Sequence, residues 1–236
     1  MPNLKIEPRF NSFKQVAAFV TARRLSAREA VVVLSRHGQT VFNETHKLPA
    51  WVPDIDRLSS KGEYNARRLQ EPLSLLPISW VASSDIARAI HTAQLALPGK
   101  PITPLFCLRD FDYGQLGGIT YEGPDNQFEK THPQLSQVFK NDRRAFAAPG
   151  GEKYIDFEQR IREGFLNEVL PDSLGKVSFI VSHRAVLREI VCGTVLNSNV
   201  NLTKLPIDGT SITVVHLQED GSLKLLLLNY TEHLKD

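Results

Sequence analysis

The sequence predicts an α/β domain built on a mostly parallel sheet, and three observations carry that prediction. Two short runs, Val31-Val32-Val33-Leu34-Ser35 and Val177-Ser178-Phe179-Ile180-Val181-Ser182, lack the alternation of a half-buried strand. Runs of this kind suit strands buried on both faces, as in a parallel sheet. Along the chain, strand-like runs alternate with helical stretches, the pattern of α/β folds. Finally, both runs end in the same residue types, Arg36-His37 after the first and His183-Arg184 after the second. In open α/β sheets, ligands bind beyond the carboxyl ends of the strands.

Residues 1–29 form an N-terminal extension to a single domain at 30–236. Phe13, Val16, Ala17 and Val20 recur at helical spacing, with Asn11 or Ser12 as N-cap and Arg23 and Arg24 near the end. This helix packs on the domain or serves a contact in a homodimer. After the first strand, Gly38 permits a tight turn. Residues 38–60 form a loop with Pro49, Trp51 and Pro53, long enough to suggest a functional segment. A helix runs from Lys61 through Glu71 and is stopped by Pro72. Ile78–Ser83 is the next strand, followed by a helix over Asp85–Ala93 with Asp85 at its N-cap.

Residues 98–104 hold three prolines around a short strand, and 107–124 are loop-rich. Two short helices follow, over Asp125–His132 and Gln134–Arg144, before the break at Pro149-Gly150-Gly151. Phe157, Ile161, Phe165 and Val169, spaced by four, mark a helix over 153–169. The strand Val177–Ser182 leads into a helix over Arg184–Cys192. Strands at Ser211–Leu217 and Leu223–Leu228 form a hairpin around Asp220-Gly221.

With 28 basic and 26 acidic residues the net charge is +2, too balanced to argue for a nucleic-acid partner. Cys107 and Cys192 lie in apolar surroundings and read as reduced, buried thiols. The N-terminal residues carry scattered charges and no signal peptide, and no apolar run is long enough to span a membrane. The expectation is a cytoplasmic protein without a membrane partner. Neither His-x-x-x-His nor Cys-x-x-Cys spacing occurs, so the sequence offers no metal site and calls for no cofactor.

The chemistry concentrates at the strand ends. If the two runs are neighbouring parallel strands, Arg36, His37, His183 and Arg184 converge on one pocket. Arg88 lies in the first turn of its helix, where the macrodipole disfavours a cation by about 0.3–1 kcal/mol. A bound anion would offset that cost; a solvated surface position is the alternative. Arginines supply bidentate donors to a tetrahedral dianion such as a phosphoryl group. A neutral His37 can attack phosphorus to form a phosphohistidine, a route that needs no metal.

Arg36-His37-Gly38-Gln39-Thr40 resembles the Arg-His-Gly-x-Thr signature of the histidine phosphatase superfamily, in the branch containing cofactor-dependent phosphoglycerate mutases. The resemblance continues through Leu58-Ser59-Ser60-Lys61-Gly62 with Ala66, and Ser83-Ser84-Asp85-Ile86-Ala87-Arg88-Ala89 with Thr92-Ala93. It resumes at Gly150-Gly151-Glu152 and Val181-Ser182-His183. It implies a three-layer αβα sandwich with a mostly parallel central sheet. It implies His37 as nucleophile, with Arg36, Arg88, His183 and Asn43 about the phosphate.

Two positions depart from the pattern. The family usually has a glutamate as proton donor where this chain has Asp110, so Asp110 is the expected general acid/base, with Asp112 and Glu122 as alternatives. Aspartate is shorter and intrinsically slightly more acidic, so it needs burial or nearby charge to hold a proton. Arg184 stands where the family often has glycine. It is either an added anion ligand at the rim or a surface residue pointing away.

The resemblance implies a phosphatase acting on a small phosphorylated molecule. The alternatives are a phosphoglycerate mutase-type isomerase and a phosphate-binding module weakened by Asp110. Only 31 residues separate Gly118 from Gly150, and the longer insertion usual in mutases is missing, which favours the phosphatase. Specificity is expected from the 41–57 loop and the 114–148 segment. Tyr113, Tyr121, Phe128, Phe139 and Phe146 either line an apolar wall there or pack in the core.

Overall fold

The computed structural model describes residues 6–51, 56–198 and 204–235. Six strands, β1 (Ala30–Arg36), β2 (Ile78–Ser84), β3 (Thr103–Leu105), β4 (Val177–Ser182), β5 (Ile212–Leu217) and β6 (Leu223–Tyr230), form one sheet. Their order is β3-β2-β4-β1-β5-β6. β3, β2, β4 and β1 are mutually parallel, and only β5 runs against the rest. β1 and β4 are buried along their whole lengths, which is why neither alternates in polarity.

Side chains on a strand point alternately to opposite faces. Val32 and Leu34 accordingly join one core, with Phe157, Phe165 and Ile180, while Val31 and Val33 join the other, with Phe13, Val16 and Phe179. Two cores on one sheet make three layers.

The helices are α1 (Phe13–Thr21), α2 (Val41–Glu44), α3 (Ser60–Arg68), α4 (Gln70–Ser74), α5 (Ala87–Ala96), α6 (Gln127–Thr131), α7 (Pro133–Asn141), α8 (Tyr154–Gly164), α9 (Leu170–Ser173) and α10 (Arg184–Arg188). Ser12 opens α1 with a capping box, exchanging bonds with Gln15 at 3.3 and 3.4 Å. Wide π turns carry α8 on through Val169 into α9, and α10 on through Val195.

Several local expectations need correction. The 38–60 stretch is not all loop, because Thr40 caps the single turn of α2; four residues are too few to show a period. Its Pro53 lies outside the described residues. Pro72 does not stop a helix but sits in the first turn of α4, where its missing N–H has no intrahelical partner to lose. Asp85 is not an N-cap. Ile86 occupies that position, and Asp85 instead accepts two bonds from Arg109 at 2.6 and 2.8 Å. The helix expected to reach Arg144 ends at Asn141, where Asp142 caps a tight turn over Arg143–Ala145.

Gly38 does not adopt the left-handed conformation. Its lack of a Cβ matters through close approach instead, since a Cβ there would fall 2.5 Å from the Gly62 carbonyl oxygen. The loop after β1 therefore rests directly on the start of α3.

The apolar face of α1 is fully covered, with Phe13 only 1% exposed and 5.7 Å from the Tyr230 ring. Phe13→Ala should lower unfolding free energy by about 3–5 kcal/mol, the usual cost of emptying a buried aromatic site. Urea denaturation checks this, and a loss below about 1 kcal/mol would show that the helix contributes little to the core.

Candidate active site

Three adjacent strand ends build the site. β2, β4 and β1 lie side by side, and Arg36 pairs with Ser182 across the last two. The His37 N–H donates to the Ser182 carbonyl at 2.9 Å, extending the ladder by one residue. Both chains then leave the sheet at the same level. The rings of His37 and His183 consequently stand 5.1 Å apart, centroid to centroid. Beyond β2, the first turn of α5 delivers Arg88 to the same place.

Both histidines are buried, and burial, followed by the charge of Arg88, holds their pKa values well below the ordinary 6.5. A neutral imidazole carries one N–H. His37 Nδ1 lies 2.7 Å from the Gly38 carbonyl oxygen. A carbonyl can only accept, so Nδ1 holds the proton and Nε2 keeps its lone pair. On His183, Nε2 is 2.9 Å from Ser84 Oγ, while Nδ1 makes no hydrogen bond among the described residues and lies 3.7 Å from Asp110 Oδ2.

Arg88 is 1% exposed, an extreme position for a guanidinium. Its Nη1 is 3.4 Å from Asp56 Oδ2, its Nη2 is 3.3 Å from Asp110 Oδ2, and its Nε has no partner among the described residues. Arg36 donates to the Ile207 carbonyl at 3.3 Å and likewise leaves Nε without a partner among the described residues. Burial, then the nearby Arg184, lowers its pKa to about 9. Buried polar atoms without partners are uncommon in proteins. Here three of them, on Arg36, Arg88 and His183, belong to one cluster, in a form suited to an oxyanion.

Asp110 Oδ1 accepts from the Phe111 N–H at 3.0 Å. Burial pushes its pKa up by more than Arg88 pulls it down, which favours the protonated acid. Its main-chain carbonyl is held by Trp51 Nε1 at 3.0 Å and Arg160 Nη2 at 3.4 Å. Of the other carboxylates weighed for this role, Asp112 is occupied capping the Gly114 N–H at 2.9 Å. Glu122 lies at the rim, 3.4 Å from His46 Nδ1.

A cleft of about 480 Å³ opens over these groups. Arg36, His37, Asn43, Asp110 and Arg184 line it; Arg88 and His183 lie beneath, in contact with Asp110. Asn43 also closes the cap of α2, its Oδ1 accepting from the Thr40 N–H at 3.2 Å. Among the aromatics, Tyr113, Tyr121 and Phe139 reach the cleft, whereas Phe128 and Phe146 belong to the core. A broader groove of about 800 Å³ runs along α3, but its charged side chains are of mixed sign and none is buried. Among the described residues, no cluster of three or more His, Cys, Asp or Glu is placed to hold a metal ion.

Sequence reasoning missed Asp56, Ser84, Thr92 and Arg160. Thr92 Oγ1 accepts from the Gly38 N–H at 3.0 Å and donates to the Arg88 carbonyl at 2.7 Å, tying α5 to the His37 loop. Ser84 and Thr92 fall inside a recognised motif but announce no role there. Asp56 lies in a loop without any spacing signal.

The sequence profile of the Histidine phosphatase superfamily (branch 1) matches residues 32–231. The phosphoglycerate mutase-like protein 4 of Arabidopsis thaliana is 29% identical over 214 residues, covering 83% of this chain and 90% of that protein. A 2,3-bisphosphoglycerate-dependent phosphoglycerate mutase from Bradyrhizobium sp. is 30% identical over 173 residues, 69% of this chain and 80% of its own length. Among solved structures, Bacillus stearothermophilus YhfR superposes with a TM-score of 0.77 at 23% identity, covering 87% of this chain and 99% of that one. The alpha-ribazole phosphatase from Shigella flexneri gives 0.74 at 21% identity, covering 84% and 96%. At these identities the superpositions speak for the fold.

The His37 geometry makes a spectroscopic prediction. Ring-nitrogen NMR shifts should show a neutral Nδ1–H tautomer that does not titrate between about pH 6 and pH 8. Because the pKa is lowered, protonation should begin only on the acid side of that window. A titration centred near the ordinary histidine value would contradict the geometry.

Proposed function

The chain belongs to the histidine phosphatase superfamily, and from that premise we propose that it hydrolyses a phosphomonoester through a phosphohistidine on His37. The observation that carries this reading is the free Nε2 lone pair of a neutral, buried His37 beside Arg36 and Asp110. In this reading Arg36, Arg88 and His183 hold the oxygens of the phosphoryl group, and Asn43 and Arg184 take part from the cleft wall. His37 Nε2 attacks phosphorus as the bond to the leaving oxygen breaks, and Asp110 gives that oxygen its proton. The fixed cationic donors stabilise charge on the equatorial oxygens during transfer. Asp110, now a carboxylate, takes a proton from water as that water attacks phosphorus. The P–Nε2 bond breaks, releasing phosphate and restoring both His37 and protonated Asp110.

The curated relatives named as mutases favour a second reading, in which the phosphoryl group returns to another hydroxyl of the substrate. The 31-residue connection between Gly118 and Gly150 argues for water as acceptor. It folds into α6, α7 and a tight turn, without further elaboration.

Purified protein should hydrolyse a chromogenic aryl phosphate, with activity lost in His37→Ala. Asp110→Asn should reduce turnover by about 10²–10⁴-fold, the range for removing a general acid. Activity of the wild type should fall as pH rises through the raised pKa of Asp110. Isomerisation of 3-phosphoglycerate with its bisphosphate activator, without aryl phosphate hydrolysis, would select the mutase. Undiminished turnover by His37→Ala would reject both.

A further inference from the structure

The cleft carries more positive charge than the phosphoryl group alone requires. Arg184 is exposed at the start of α10, and Arg188 is half-buried one turn later on the same helix. Like charges at this spacing destabilise a helix. Arg188 Nε is fixed on the Leu205 carbonyl at 2.8 Å. Arg143 stacks on the Phe139 ring at 3.9 Å and donates to the Phe139 carbonyl at 3.2 Å. All three line the same cleft as Arg36.

None of these four arginines has a carboxylate partner at ion-pair distance among the described residues. Arg109, Arg144 and Arg160, by contrast, are paired with Asp85 at 2.6 Å, Glu158 at 2.9 Å and Glu152 at 2.9 Å. The acids at the cleft are engaged with other groups, Glu122 with His46 and Asp110 with Arg88. The clustered cations weaken one another's hold on protons, Arg188 falling to about 10 through burial and then the charges of Arg184 and Arg143. Arg36, Arg143 and Arg188 are held in place by carbonyls and a ring, and with the exposed Arg184 they form a cationic site that has no ion-pair partner among the described residues. Its volume, about 480 Å³ in total, is that of a small-molecule site rather than a groove for a macromolecule.

We propose that Arg143, Arg184 and Arg188 form a second anion subsite, so that the preferred substrate is a phosphomonoester bearing another acidic group on its leaving-group side. This rests on the hydrolase reading above. Arg36 feels the charges of both Asp110 and the Arg184–Arg188 pair, and Tyr113, Tyr121 and Phe139 line the same cleft, where the body of such a molecule would lie. A carboxylate and a second phosphoryl group share the chemistry required.

Matched substrate pairs test this: phosphoglycolate against ethyl phosphate, 4-carboxyphenyl phosphate against phenyl phosphate, and propane-1,3-diol bisphosphate against propyl phosphate. The wild type should favour the doubly acidic member of at least one pair by about tenfold or more in kcat/KM, as expected for charge-assisted hydrogen bonds. The pair that responds identifies the acidic group. Arg184→Gln and Arg188→Gln should each lower that ratio about tenfold, with partial recovery in Arg184→Lys. Ratios near one for every pair, or ratios unaltered in both variants, would overturn the subsite. Absence of all turnover by the wild type would instead overturn the hydrolase reading. Dissociation constants for the same pairs, by calorimetry, then judge the subsite by the same ratios.

Discussion

β1 and β4 end together, with Arg36 opposite Ser182 and one further hydrogen bond from His37 to close the ladder at 2.9 Å. That parallel register determines the site. Side chains on a strand alternate between faces, so a slip of one residue would send Arg36 and the core valines to the wrong sides. The two cores prevent it: Val31 and Val33 are complementary to one face of the sheet, Val32 and Leu34 to the other. Apolar packing thus sets the distance between two histidines that make no direct contribution to that packing.

The cost of this arrangement lies in burial of charge. Arg88 is withdrawn from water between Asp56 and Asp110, and removing one partner of a buried pair typically costs about 3–5 kcal/mol. The same low-polarity surroundings keep His37 and His183 neutral and push Asp110 toward its protonated form. One physical cause therefore leaves His37 neutral and shifts Asp110 toward its protonated form, the two states the proposed reaction needs. It also bears on the substitution of aspartate for the expected glutamate. Asp110 is shorter by a methylene, but Trp51 and Arg160 grip its main-chain carbonyl, and its carboxylate still comes within 3.3 Å of Arg88.

Much of this was legible in the sequence where a single element carries the signal. The unbroken apolar runs at Val31 and Val177 announce doubly buried strands, and the spacing of Phe13, Val16, Ala17 and Val20 announces α1. The paired Arg-His endings announce the site. What was not legible depends on contacts between distant segments. Asp85 has the composition of a cap, yet Arg109 from another loop claims it. Asp56 earns its place only because α5 brings Arg88 beside it. Gly38 looked like a turn residue, and its actual constraint is the carbonyl of Gly62. Pro72 looked like a stop because its position within the first turn of α4 cannot be known before that helix is placed.

In the proposed reaction the phosphoryl group passes through Nε2 of His37. Rapid-quench mass spectrometry of the Asp110→Asn variant during turnover of an aryl phosphate tests it most directly, because water attack is slowed there. An acid-labile phosphate is expected on His37, formed in step with release of the first aryl alcohol and absent from His37→Ala. A phosphate trapped on His183 or on another residue, or steady turnover with no phosphorylated protein at any time, would contradict it.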